Sequence, residues 1–217
     1  MADLLFIDIE TTQAQDESII ADVIVNMKAP ANYKKQETID KWLEDNKEAA
    51  VAKTSFDGWA GTLCTIGFKV NNDESRVFHR KVGESEKSLL NDFFDYLTQT
   101  YGVNFNPLWV AHNIEFDMHF LYKRMVVNNV RPPIPFPVMP KAWDKHCFCT
   151  MYNSTGGKAG GSLNRISKVL GLGQKTEGID GSQINQAWLD GRDDEIAEYC
   201  RNDVELCKKI YDRLNFL

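Results

Sequence analysis

The chain reads as an α/β domain, a mixed sheet with helices packed on its faces. Three observations predict this. The apolar run LLFIDI (4–9), with acidic residues at its end, opens the chain as a buried strand. GTLCTIGFKV (61–70) and SRVFHRKV (75–82), joined by the turn residues NNDE, read as a hairpin. Helical and strand-like segments then alternate to the C-terminus, an order that lays helices against a sheet.

The elements follow in order. After the first strand, residues 13–60 form an insertion of unassigned role within a single domain spanning 1–217. Residues 13–35 are irregular, with IIADVIV (19–25) open between strand and helix, and 36–50 are helical by the spacing of their apolar residues. After the hairpin, Ser85 is placed to cap a helix over 85–101. PLWVAH (107–112) is a short buried strand, and 113–129 an amphipathic helix. RPPIPFPVMP (131–140) holds five of the seven prolines and must be extended. CFCTM (147–151) reads as another strand, NSTGGKAGG (153–161) as a flexible loop, and SLNRISKVLGLG (162–173) as a short helix ended by glycine. Residues 193–214 form the C-terminal helix.

Composition narrows the function classes. With 217 residues, 43% of them apolar, the chain can bury a sizeable core but has no room for a polymerase domain. No apolar run approaches the roughly 18–20 residues needed to span a bilayer. The N-terminus lacks the charged start of a signal peptide, so a cytoplasmic protein in a bacterial or viral setting is expected. Five cysteines without paired spacing indicate reduced, buried thiols; the run His146-Cys147-Phe148-Cys149 lacks the second ligand pair that a soft-metal site needs. A net charge of −6 argues against a protein that coats nucleic acid. It is compatible with an enzyme whose carboxylates hold divalent cations, because the ions then supply local positive charge.

Three clusters carry chemistry. Asp8 and Glu10, two apart on a strand, project from the same face, with Ile7 and Ile9 turned into the core. Such close like charges are costly unless something binds between them; the alternative is an acidic strand end in solvent. His112-Asn113-Ile114-Glu115-Phe116-Asp117 follows a buried strand and places Asp117 in the first turns of a helix, where an acid also simply suits the dipole. Tyr199 and Asp203, four apart on a helix, share one face, either in a site or in solvent. Together they supply four carboxylates, the oxygen ligands that two hard divalent ions require.

The ordered set FIDIETT, AHNIEFD and EYCRNDVE resembles the three motifs of the DEDD superfamily of 3′–5′ exonucleases. The Tyr-x-x-x-Asp third motif is similar to its tyrosine (DEDDy) branch, and SLNRISKVLGL with GIDGSQINQAWLDG resembles the exonuclease domain of family-B DNA polymerases. The resemblance covers about residues 4–12 and 61–214. It implies a ribonuclease-H-like fold with a central mixed five-stranded sheet, and two Mg²⁺ or Mn²⁺ ions. By this resemblance Asp8 bridges both ions, Glu10 and Asp203 complete one site, and Asp117 holds the second. Tyr199 orients the attacking water, since a phenol near pKa 10 is a poor base. Glu10 and the backbone near Thr11 and Thr12 hold the 3′-OH, His112 and Asn113 line the substrate groove, and Phe116 packs.

The activity implied is hydrolysis from the 3′ end of single-stranded DNA, releasing nucleoside 5′-monophosphates, in proofreading with a replication polymerase in trans as a partner. The alternatives are an exoribonuclease and a catalytically silent nucleic-acid-binding module; the latter would be expected to have lost a carboxylate. His112 or His119 as general base is disfavoured by the tyrosine. Trp59, Trp109, Trp143 and Phe148 are candidate base platforms or core, and Lys141, Lys145, Lys158, Arg165 and Lys168 candidate phosphate contacts or a solvated loop. NSTGGKAGG lacks the GxxxxGK[ST] spacing of a phosphate loop.

Overall fold

A computed structural model describes residues 3–157, 161–175 and 178–217. Five strands, β1 (Leu4–Thr12), β2 (Thr62–Val70), β3 (Arg76–His79), β4 (Leu108–Ala111) and β5 (Cys147–Cys149), form one sheet in the order β3-β2-β1-β4-β5. β1 pairs antiparallel with β2 and parallel with β4; β2 and β3 are antiparallel, and β4 and β5 parallel. The sheet is therefore mixed, as the sequence predicts.

The period-2 alternation of β1 divides the molecule. Leu5, Ile7 and Ile9 enter the larger core with α4 (Glu86–Tyr101) and α5 (Ile114–Val127). Phe6 points the other way, into a second core with Val110, Leu163 of α7 (Leu163–Val169) and Val204, Leu206, Cys207 and Ile210 of α9 (Asp193–Leu214). Asp8 and Glu10 lie on the Phe6 side, beneath α9. β1 is central and parallel to β4, so their carboxyl ends open at the same edge of the sheet, where open α/β sheets bind ligands.

Local signals held well. The Ser85 hydroxyl caps α4 by accepting from the Ser88 N–H at 3.3 Å. Gly171, at φ 67°, ends α7 where the sequence places a glycine. Residues 147–151 differ from expectation. β5 stops at Cys149, paired with Ala111, the last residue of β4. With no ladder beyond it the chain coils into α6 (Thr150–Thr155), which also takes the first part of the expected loop. Lys158 lies outside the described residues.

Within the insertion, IIADVIV belongs to helix α1 (Glu17–Val25). The helix expected over 36–50 is broken at Asn46 into α2 (Gln36–Asp45) and α3 (Lys47–Ala52), followed by a 3-10 turn, Lys53–Phe56. The segment after α7 carries α8 (Ile184–Leu189), whose Trp188 packs with Ile196 and Tyr199 of α9. No helix among the described residues is long and apolar enough to cross a membrane.

Candidate active site

The three acidic clusters converge at the carboxyl end of β1. A cleft of about 570 Å³ is lined there by Asp8, Glu10, Asp117, Tyr199 and Asp203, together with His112, Asn113 and Phe116. Phe56, Met151, Ser162, Leu163 and Lys175 complete most of its wall.

The four acids arrive by three routes. Asp8 and Glu10 come from the strand alternation, and a β-bulge between Glu10 and Thr11 ends the regular register just beyond them. Asp117 sits in the first turn of α5, which starts beyond the end of β4; the Ile9 backbone N–H donates to its carboxylate. Tyr199 and Asp203 come from α9, which crosses directly over β1 and β2. That crossing depends on Gly67, the residue paired with Asp8 across the ladder. A Cβ on Gly67 would lie 2.7 Å from Cys200 Sγ and 3.2 Å from Val204 Cγ2, so only glycine admits the helix this close. Cys200 sits between the two layers, its thiol 3.4 Å from Asp8 Oδ2 and 3.5 Å from the Asp8 carbonyl.

The electrostatics are strained in one direction. Burial, and then the charges of Glu10, Asp203 and Asp117, raise the Asp8 carboxyl well above the ordinary carboxylate range. Burial and the charge of Asp203 do the same to Glu10. Burial chiefly pushes Asp117 up to about 7. Asp203 is also raised by burial, although Lys175 opposes the shift. Its Oδ1 is buried with no hydrogen-bond partner.

These features fit divalent cations. Four carboxylates held together against desolvation and mutual repulsion, one of them with an unpartnered buried oxygen, form an oxygen-rich donor set suited to hard ions. Asp8, Glu10 and Cys200 each place a ligand atom within 4.8 Å of the other two. Cys200 is the poor member of that trio: burial and the nearby acids push its thiol well up, so it stays neutral and donates to Asp8 rather than ligating.

Lys175 is the charged residue of the cleft that the sequence patterns do not single out. Its ammonium donates to Tyr199 Oη at 2.7 Å and forms a short contact with Asp203 Oδ2. Burial lowers the lysine pKa, but the Asp203 charge and these hydrogen bonds outweigh it and the net shift is upward. No helical spacing links it to Tyr199, 24 residues away, and it lies in a connecting segment, so its role is legible only in three dimensions. Burial raises Tyr199 to about 12, with Lys175 pulling the other way, so the phenol keeps its proton at neutral pH.

The remaining candidates divide. Asn113 precedes α5, makes no side-chain cap bond and is exposed to the cleft. His112 lines the cleft with both ring nitrogens engaged: Nε2 donates to the Gly161 carbonyl at 2.7 Å, and Nδ1 lies 2.9 Å from the Thr150 hydroxyl. Burial lowers its pKa, which leaves it neutral and tethering the 161 segment. His119 donates through Nε2 to the Pro140 carbonyl. The side chains of Thr11 and Thr12 turn away from the acids: Thr11 Oγ1 donates to the Ser55 carbonyl, and Thr12, fully buried, bonds Thr62 Oγ1, both at 2.7 Å. Trp109 is core, and Phe148 packs on Tyr211 at 4.8 Å, whereas Trp59 and Trp143 are exposed. Lys141 pairs with Glu115 rather than facing the cleft acids. Cys147 and Cys149 are buried thiols with raised pKa values, unlike a thiolate metal site.

Fold and site together describe an α/β domain that gathers buried acids and a protonated tyrosine at the carboxyl ends of two parallel central strands. Residues 59–216, well over half of the chain, match a family described as "Predicted 3'-5' exonuclease related to the exonuclease domain of PolB". The chain belongs to that family, and it is a 3′–5′ exonuclease of the PolB-related kind. No curated protein matches it. Among solved structures, 46 chains match. One is the family B DNA polymerase from the hyperthermophilic archaeon Pyrobaculum calidifontis, at 16% identity and a TM-score of 0.61, covering 99% of this chain and 25% of the polymerase. The chain thus spans a quarter of that polymerase's length, and the likeness is one of fold, ribonuclease-H-like. Exonuclease domains of this kind act on nucleic acid and use divalent metals. The matched span begins after β1, so Asp8 and Glu10 lie outside it.

Proposed function

We propose that the protein hydrolyses phosphodiester bonds one at a time from the 3′ end of single-stranded DNA, releasing nucleoside 5′-monophosphates, with Asp8, Glu10, Asp117 and Asp203 as metal ligands. The observation that carries this reading is the convergence of four carboxylates, three buried and Asp8 half-buried, all held above their ordinary pKa range, on one open cleft. Asp8 with Glu10 and Asp203 would hold one ion, and Asp8 with Asp117 a second. Two Mg²⁺ or Mn²⁺ ions bound there would lower the pKa of a water and stabilise the leaving oxygen.

The chain's own groups handle the rest. The protonated Tyr199 hydroxyl positions the attacking water and does not remove its proton. The water gives up a proton to solvent as its oxygen bonds to phosphorus, the bond from phosphorus to the 3′ oxygen of the penultimate nucleotide breaks, and that oxygen takes a proton from solvent. The Lys175 ammonium, beside Tyr199 and Asp203, offsets part of the acidic charge and can donate to a non-bridging phosphate oxygen. Asn113, exposed at the cleft edge, is placed to bond the strand. The relation to the PolB exonuclease domain supports DNA as the substrate and a replication polymerase acting in trans as the partner.

The test is product analysis on 5′-labelled single-stranded DNA and its RNA counterpart, with Mg²⁺ or Mn²⁺. The expected result is a descending ladder on DNA, abolished by EDTA and reduced at least ~1000-fold in Asp8→Ala, the loss that about 4 kcal/mol of transition-state stabilisation represents. A stronger ladder on RNA would reassign the substrate. No shortening of either strand would overturn the nuclease assignment and favour a silent binding module.

A further inference from the structure

Phe56 is 73% exposed, yet its neighbours in the chain are tied to the body of the domain. It ends the 3-10 turn Lys53–Phe56. Thr54, within that turn, is buried and accepts from the Ala14 N–H at 2.7 Å, while the Ser55 carbonyl accepts from Thr11. On the far side, Arg124 Nη1 donates to the Gly58 carbonyl at 3.1 Å, and Lys123 pairs with Asp57 at 3.2 Å. Gly61 completes the clamp: a Cβ there would lie 2.4 Å from the Thr54 carbonyl oxygen and 2.8 Å from that of Thr12. A large apolar ring is thus held largely in water on a backbone anchored from two sides.

Its position suggests the reason. Phe56 lines the acidic cleft and also the adjoining hollow of Asn113, Glu115, His119 and Lys123. Phe116 lines both as well, and the two rings stand 6.4 Å apart, tilted by 59°. The pair forms an apolar lip between the two spaces, one side of which holds the carboxylates.

We propose that Phe56 is a nucleobase platform, on which the base of the 3′-terminal nucleotide stacks while its phosphate lies at the acids. This rests on the nuclease reading and extends it, assigning the insertion a direct role in selecting unpaired ends. Every base presents a π-face, so such a platform favours a splayed strand end without choosing among bases. Phe56 lies in the insertion, ahead of the family-matched span of 59–216.

Two assays test it. In the first, wild type and Phe56→Ala digest single strands ending in either an ordinary nucleotide or an abasic residue. Wild type should prefer the ordinary end by about 10-fold in kcat/KM, carried mostly by KM; Phe56→Ala should lose that preference, Phe56→Trp keep it, and Phe56→Leu fail to restore it. In the second, a strand ending in 2-aminopurine, bound in EDTA, should be quenched by wild type and Phe56→Trp but not by Phe56→Ala. Equal digestion of both ends by wild type, an unchanged preference in Phe56→Ala, or full rescue by leucine would overturn the platform while leaving the nuclease intact. Quenching lost in Phe56→Ala would support it independently of turnover. A wild type that shortens neither strand would bring down the nuclease reading, and this inference with it.

Discussion

The sheet beneath α9 and the insertion at 13–60 are built on opposite terms. Under α9, the side chains that β1, β2 and the helix turn toward one another are almost wholly buried, and the acids stand on this packed base at the edge of the cleft. In the insertion, α1 and α2 bury no residue at all and α3 buries only Val51. The insertion is fixed at its stem, through Thr54, Ser55 and Gly58, and not along its length. The difference shows where each region can tolerate change: ångström shifts should matter in the first and only at the stem of the second.

Among changes that leave every acid in place, the largest effect is expected at Gly67. Gly67→Ala forces Cys200, and α9 with it, away from β1, separating Tyr199 and Asp203 from Asp8 and Glu10. Activity should fall about 100-fold, since a 1 Å misplacement carries that penalty, with a loss of about 1–3 kcal/mol in stability from overpacking. Single-turnover rates and urea melts would measure both. Adding Cys200→Ala, which clears the colliding sulfur, should recover much of the rate; an unaffected rate in Gly67→Ala alone would show that the close crossing is not what aligns the site.

Tyr199→Phe keeps the ring packed against Trp188 and Ile196 and removes only the hydroxyl. A fall in kcat of about 10-fold with an unchanged melting temperature is expected for loss of a water-orienting group. If melting temperature and kcat fell together, the hydroxyl would be structural.

Asp117→Asn tests the stored repulsion through pH. Its carboxyl titrates near 7, against 3.8 for an ordinary aspartate. Between those values the folded state holds a proton that the unfolded state has released, so stability falls as pH rises through the window. The asparagine variant has no such titration. Without divalent ions it should therefore melt about 4 °C above wild type at pH 8, the shift of roughly 1–2 kcal/mol in a domain this size, with the gap closing toward pH 4. Adding Mg²⁺ or Mn²⁺ at pH 8 should stabilise wild type more than the variant, and a gap independent of pH would contradict the raised carboxyl.

The smallest effect should come from replacing residues 16–46, the outer insertion, with a short Gly/Ser linker that leaves the stem in place. With no buried side chain in α1 or α2, the melting temperature should change by less than about 3 °C, and activity on single strands should stay within about 2-fold. A large loss would mean that the outer insertion, and not only its stem, shapes the cleft.

Much of the site is local and so is written in the sequence. Residues two apart on a strand share a face, which pairs Asp8 with Glu10; residues four apart on a helix share a face, which pairs Tyr199 with Asp203; a strand leading into a helix puts Asp117 in its first turn. Ser85 and Gly171 end their elements by equally short-range chemistry. These rules need no knowledge of the rest of the chain, and the mixed sheet follows from the order of the elements they define.

Only the tertiary structure decides what depends on approach between distant segments. Lys175 meets Tyr199 and Asp203 from a segment with no periodic relation to either. Gly67 matters because one helix crosses one strand there. His112 is engaged by Thr150 and Gly161 rather than left free, and Trp109 and Trp59, alike in sequence, part company into core and surface. Phe56 reaches the cleft because its stem docks on β1 and α5. Backbone geometry sets which residues of one element face together, but packing between elements sets which faces meet, and no local pattern records that.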